Sequence, residues 1–352
     1  MRDSSRRHDG AASLSSFAPN KWLHRFAWLL AALTLLLICS GCMVTSKGAG
    51  LAVPDWPTTF GYNMFFFPVS QWVGGIFFEH THRLIASTIG FLTIILAVWL
   101  WRTDERKWMR MLGLAALGAV VLQGVLGGLR VTMLKDEIGI FHACLAQAFL
   151  GLLVFIAIAT GRTWSQLKGR MPSAILWLPL ATTLIIYGQL ALGATMRHQH
   201  RDLSILDFPL AYGRIVPDTS LAHIAAINQW RDARALSDVT PAQIWLQMAH
   251  RAGAAIIFCG VLGYSLVASS RKLAPLPRLS VIWLLCLLAQ ITLGAWTIWS
   301  NKAADIATAH VALGAIMLSL GVSVCALTLR LRAATVAPAR HNTIARREAH
   351  AL

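Results

Sequence analysis

Eight separate runs of predominantly apolar residues, each near the roughly 20 needed to cross a hydrocarbon core, constrain this chain more than any other feature. They cover about 26–46, 76–101, 111–133, 140–161, 173–196, 244–269, 279–300 and 306–330. Lipid offers no partner for backbone N–H and C=O groups, so each run reads as a helix, and the fold class is an all-α membrane protein. Composition agrees, with 56% hydrophobic and only 13% charged residues, where soluble domains carry roughly a quarter charged. The net charge of +16 is spread in short clusters between the runs instead of forming one patch, so no nucleic-acid partner is expected. With the N-terminus inside, segments 1–25, 102–110, 162–172, 270–278 and 330–352 hold 20 of the 31 Lys and Arg. The positive-inside rule then places both termini in the cytoplasm and the loops 47–75 and 197–243 outside.

Arg6, Arg7, Lys21 and Arg25 before the first run would also suit a signal peptide, and Cys42 a lipoprotein cleavage site. The run has a repeat partner in the fifth run, however, and reads as a span. All six cysteines (Cys39, Cys42, Cys144, Cys259, Cys286 and Cys325) fall in or at the ends of runs, so no external disulfide framework is implied. Cys39 and Cys42 form a lone CxxC and read as small packing residues.

The eight runs are two copies of a four-span unit. After the first span stand Leu51, Asp55, Trp56, Pro57, Phe60 and Gly61; after the fifth, at the same spacing, stand Leu203, Asp207, Phe208, Pro209, Tyr212 and Gly213. Gln123 and Gly127 of the third span match Gln290 and Gly294 of the seventh. His82-Arg83 and His142 open spans 2 and 4, and His250-Arg251 and His310 open spans 6 and 8, with 60 residues between the histidines in both halves. These spans all run inward, so the four histidines share one depth near the outer face. The organisation expected is a cytoplasmic tail 1–25, an N-terminal half 26–161, a linker 162–172, a C-terminal half 173–330 and a tail 331–352, as two tandem four-helix bundles. His198, His200 and His223 lie in the long loop 197–243, and their spacing suits no ligand set.

Ionisable residues within membrane spans are costly and usually face the bundle interior for a purpose. Two facing imidazoles in a four-helix bundle suit the axial positions of a heme iron. Zinc or copper would need further ligands repeated in both halves, and none repeats. Hydrogen bonding across helices accounts for a single such histidine, but two pairs at one interval favour heme. Arg83 and Arg251 either pair with a heme propionate or snorkel to the interface. Glycines 113, 118, 124, 127 and 128 of span 3 read as packing residues. Glu79 lies three residues before His82 on the same helix face, while Gln247 holds its place in the other half. A carboxyl group there either exchanges protons beside the ligand or merely meets water at the interface. His80 points off that face and reads as interfacial, not as a ligand.

Thr45, Lys47, Gly48, Gly50, Asp55, Trp56 and Pro57, followed by Glu79-x-x-His82-Arg83 as an ExxHR motif, resemble the heme A synthase family over about 26–330. The resemblance implies a membrane oxidoreductase that converts heme O to heme A, turning a ring methyl into a formyl group for cytochrome oxidase. By carry-over, His82 and His142 hold the substrate heme with Glu79 beside it, and His250 and His310 hold a heme b cofactor. Arg83 and Arg251 join the cofactor-binding set. Implied partners are heme O and heme A, heme O synthase, cytochrome oxidase assembly factors and membrane lipid, with homo-oligomerisation left open. Some members carry a cysteine pair in the first external loop; residues 47–75 here hold none. The tail is too short and mixed for a clear transit peptide, which favours a bacterial plasma membrane over the mitochondrial inner membrane. Two other classes compete. A diheme quinol-linked cytochrome would place its hemes at two depths, and a heme transporter or chaperone would have no use for Glu79.

Overall fold

The computed structural model describes residues 19–167, 172–199, 203–271 and 274–336. Its helices are α1 Lys21–Ser46, α2 Gly74–Thr103, α3 Lys107–Met133, α4 Asp136–Ala159, the short α5 Arg162–Gln166, α6 Ser173–His198, α7 Leu221–Asp232, α8 Pro241–Arg271, α9 Leu276–Trp299 and α10 Ala304–Val336. Eight of them are long and apolar enough to cross a membrane, and no strand occurs among the described residues. The protein is therefore a multi-pass, all-α membrane protein, and the eight spans read from the sequence coincide with these helices to within a few residues. Most of the expected cytoplasmic tails, and Lys168 and Arg170 of the expected linker, lie outside the described residues.

Local chemistry sets the helix ends. The Asn20 side chain accepts from the Trp22 and Leu23 amides at 3.0 and 3.1 Å and starts α1. Leu134 turns left-handed (φ 56°) to end α3, and Asp136 and Glu137 then sit in the first turn of α4, where the helix dipole favours negative charge. Several hydroxyls inside the spans bond back to carbonyls one turn earlier, as Thr34 does to Leu30 and Thr93 to Ile89, which gives them a partner in an apolar surround.

In the first half, α1 packs on α2, α2 on α3, α3 on α4 and α4 back on α1; α6, α8, α9 and α10 close a second ring in the same order. The rings meet through α1 with α10, α4 with α10, and α4 with α6. Consequently α4 and α10, carriers of His142 and His310, are the most buried spans, while α3 and α9 lie at the periphery. One continuous apolar core runs through both rings and includes Leu153 and Ile156 of α4 and Ala315 and Val324 of α10.

The long segment 197–243 departs from its reading as a plain loop, since it contains α7. Ile224 and Ile227 at helical spacing pack with Ile205, Ala211, Val239 and Ile244 into a small second core. Arg231, only 5% exposed, ties this core together by donating to the Ser237 and Leu203 carbonyls and to the Tyr212 hydroxyl.

Candidate functional site

The loops after α1 and α6 are built on one plan, which explains the repeated Asp, aromatic, Pro and Gly. The Asp55 carboxylate accepts from the Phe60 and Gly61 amides (2.8 and 2.9 Å) and the Thr58 hydroxyl, and Asp207 accepts from Tyr212 and Gly213 in the same way. Phe60 and Gly61, like Tyr212 and Gly213, take positive φ, which needs glycine or a firmly held side chain. Burial pushes the Asp55 carboxyl up, but the Gly61, Thr58 and Phe60 hydrogen bonds outweigh it and hold it below the ordinary carboxylate value. No cysteine is required for this closure; Phe67 adds ring contacts to Phe60, Tyr62 and His80.

Glu79 and Arg83 fasten the first loop to α2. Glu79, 4% exposed, accepts from the Val53 amide at 2.9 Å and pairs with Arg83 at 2.7 Å. Arg83 also donates to the Val53, Asp55 and Thr58 carbonyls. In the second half Gln247 does the same work with an amide: it accepts from the Ile205 amide (2.7 Å) and donates to the Ile205 carbonyl (3.1 Å). Arg251 donates to the Asp207, Pro209 and Leu210 carbonyls. The loops thus roof the bundles through an ionised pair in one half and a neutral amide in the other. His80 is fully buried under the first roof, against Thr59, Phe67 and Trp72, and not at the interface as its helical position implied. The folded loop covers a face that helical period alone would leave wet.

Beneath the roofs lies one cavity of ≈ 1050 Å³ that reaches into both halves and is lined by His82, His142, His250 and His310 together with Glu79. His82 and His142 lie within electrostatic reach of one another, as do His250 and His310, and Nδ1 of all four is buried without a hydrogen-bond partner. Each imidazole rests on a glycine of the preceding span: His82 on Gly41, His142 on Gly127, His250 on Gly193 and His310 on Gly294. A Cβ would stand 3.0 Å from His82 Cε1 at Gly41 and 3.1 Å from His310 Cε1 at Gly294, closer than packed side chains tolerate. Gly127 had a packing explanation; the structure gives it a specific partner, and Gly41 and Gly193 stand 14 residues before Asp55 and Asp207. Gln123 and Gln189 donate to the His142 and His250 carbonyls at 3.0 and 2.6 Å, fixing the helical turns that carry those imidazoles. Trp56 closes the first half's chamber, its ring lying on Gly128 so closely that a Cβ there would come within 2.5 Å.

The arrangement suits a large, flat, apolar ligand held by two imidazoles. All four imidazoles line the chamber with their Nδ1 atoms enclosed and unpaired, and iron in a porphyrin asks for two axial ligands from opposite sides. No group of three or more His, Cys, Asp or Glu able to hold a metal ion occurs among the described residues. The fold and site therefore define an eight-span membrane protein with duplicated histidine pairs opening on a shared internal chamber.

A family model described as cytochrome oxidase assembly protein (COX15-CtaA) matches residues 24–322, and the chain belongs to that family. It is 26% identical to the heme A synthase of Geobacillus kaustophilus over 90% of this chain and 95% of the relative. It is 27% identical to that of Shouchella clausii over 70% of this chain and 84% of the relative. The heme A synthase of Shewanella oneidensis is 24% identical over 82% of this chain and 90% of its own length.

Proposed function

We propose that the protein is a heme A synthase, a membrane oxidoreductase that takes heme O as substrate and oxidises one ring methyl to a formyl group, giving heme A for cytochrome oxidase. The observation that carries the reading is the coincidence of the family match over 24–322 with two histidine pairs lining one chamber. His82 and His142 bind the substrate heme and His250 and His310 bind heme b, which when bound supplies one-electron redox chemistry. Glu79 supports the first assignment, being the carboxylate that lines the chamber, since methyl oxidation releases protons as electrons leave. Arg83 and Arg251 serve the two pockets by holding the roofs over them. Direct packing of α4 on α10 supports short-range electron passage between the halves. The charge bias of the segments between spans supports cytoplasmic termini in a bacterial plasma membrane, with heme O synthase and oxidase assembly factors as partners.

Pigment analysis of the purified protein tests this. Heme O or heme A is expected beside heme B, with low-spin heme b absorbance lost in His250→Ala and in His310→Ala. Heme B alone, together with quinol oxidation and no heme A made in cells, would overturn the synthase in favour of an electron carrier.

A further inference from the structure

Four arginines (Arg83, Arg130, Arg197 and Arg251) line the chamber against a single carboxylate, Glu79, and that carboxylate is already paired with Arg83. Excess positive charge in a low-dielectric space is stable only beside anions, so the occupants must bring negative charge with them. Arg83 and Arg251 direct their Nη donors to loop carbonyls, and Arg251 Nε, like Arg197 Nε, is buried without a partner, so Arg130 is the cation most available to a ligand. The guanidinium of Arg130, in the last turn of α3, makes no hydrogen bond or ion pair among the described residues. Its guanidinium fits a slot cleared by two glycines, for a Cβ would stand 2.9 Å from Nη2 at Gly50 and 3.3 Å from Nε at Gly139. The acidic groups whose fields reach it are Glu79 and Asp136, neither in contact, while Arg197 opposes them. Arg197 comes from α6 and crosses the seam, donating through Nη2 to the Cys42 carbonyl at 2.8 Å and to the Ser46 hydroxyl. Its Nε is buried and unpaired.

The two arginines divide between the two histidine pairs. Arg130 lies within electrostatic reach of His82 and His142, and Arg197 within reach of His310. We propose that Arg130 and Arg197 are the carboxylate acceptors of the chamber, Arg130 for the ligand at His82 and His142 and Arg197 for the ligand at His250 and His310. The repeat does not predict them, because Thr297 and Thr45 stand at their counterpart positions. Guanidinium forks match carboxylates with two parallel hydrogen bonds, so they fix a porphyrin's in-plane orientation as well as its affinity. For the substrate, that orientation decides which ring edge meets Glu79. The inference rests on the heme reading above.

Its test compares iron protoporphyrin IX with its dimethyl ester, which keeps the iron and ring but lacks the acid groups. Heme-free full-length protein in phosphatidylcholine nanodiscs is titrated with each, read by the Soret band and by tryptophan quenching. The wild type should bind the diacid more tightly than the ester. Arg130→Gln and Arg197→Gln should each weaken diacid binding about ten- to hundredfold while moving ester binding by less than about twofold. Arg→Lys at either position should restore part of the loss. Equal binding of acid and ester by the wild type, as when the arginines hold lipid phosphate, overturns the proposal, and so does a variant that weakens both alike. If neither porphyrin binds the wild type, or binding ignores His82→Ala and His310→Ala, it is the heme reading itself that falls.

Discussion

Glu79→Gln separates a proton-accepting carboxylate from a loop fastener, because the second half already shows what an amide does at this place. Gln247 accepts from the Ile205 amide and donates to the Ile205 carbonyl. A glutamine at 79 can make the same two bonds to Val53, whose amide now donates to Glu79 and whose carbonyl accepts from Arg83. Arg83 loses a charge-assisted bond but keeps the carbonyls of Val53, Asp55 and Thr58. Exchanging one charge-assisted bond for a neutral one costs about 1–2 kcal/mol, so the loop and the heme content should survive. Glu79→Ala is a different perturbation. It leaves the Val53 amide and a 10%-exposed Arg83 side chain without their partner, at a cost of about 3–5 kcal/mol. If Glu79 accepts a proton during methyl oxidation, the Gln variant should lose about a hundred- to ten-thousandfold in rate with little loss of thermal stability. Heme O and the hydroxylated intermediate should accumulate, read by chromatography of hemes extracted from membranes, beside melting curves of the purified protein. Wild-type heme A in Glu79→Gln, with loss only in Glu79→Ala alongside a lowered melting point, would refute the proton role and leave Glu79 a fastener of the roof.

Other perturbations address the rest of the site. Gly294→Ala places a methyl 3.1 Å from His310 Cε1, so the low-spin heme b spectrum should shift or vanish; Gly263→Ala, whose Cβ would meet nothing nearer than 3.8 Å, should leave it intact. Asp55 is held below its ordinary value, so the first roof is stabilised above the unfolded carboxylate value of about 3.9 and loses that support as pH falls through the lower folded value. Hydroxyl-radical labelling of Trp56 should accordingly stay flat from neutral pH down to about 5 and rise only below about 4; a rise already near neutrality would mean another group holds the roof. Alkaline phosphatase fused within 203–240 should be active and a fusion at 105 inactive, and the reverse pattern would invert the proposed topology.

What was legible in the sequence was whatever repeats along the chain at a period physics dictates. Apolar runs of membrane length gave the helices, and the equal His82–His142 and His250–His310 intervals singled out four residues that the structure brings to one chamber. Less visible were contacts whose two ends lie far apart. Nothing local to Arg83 or Arg251 tells that their guanidinium groups reach carbonyls of a loop 25 to 44 residues earlier. Gly41 and Gly193 look like ordinary small residues until the imidazoles facing them are placed, although their common distance from Asp55 and Asp207 was a usable signal. His80 misled because helical period describes a bare helix, whereas here a folded loop lies over it. α7 was hidden by its shortness, its Leu221, Ile224 and Ile227 spacing being too brief to stand out beside spans twice its length.

Duplication gives two nearly identical halves around one chamber, so a difference in task must lie in the few places where the copies part. At the roof, the Glu79–Arg83 pair stands against Gln247, so only the first half has a carboxylate where the proposed proton transfer needs one. At the lid, Trp56 rests directly on the bare backbone of Gly128, whereas Phe208 packs on Trp299 and under Arg251. Over the second half, α7 and its small core add a layer that has no counterpart among the described residues of the first half. A chamber that must admit a substrate and release a product needs a cover held by few contacts, since opening free energy scales with what is broken. A resident cofactor needs the opposite. In the proposed division of labour, the Glu79 carboxylate belongs to the His82–His142 half, and the neutral Gln247 amide and the added α7 layer belong to the His250–His310 half.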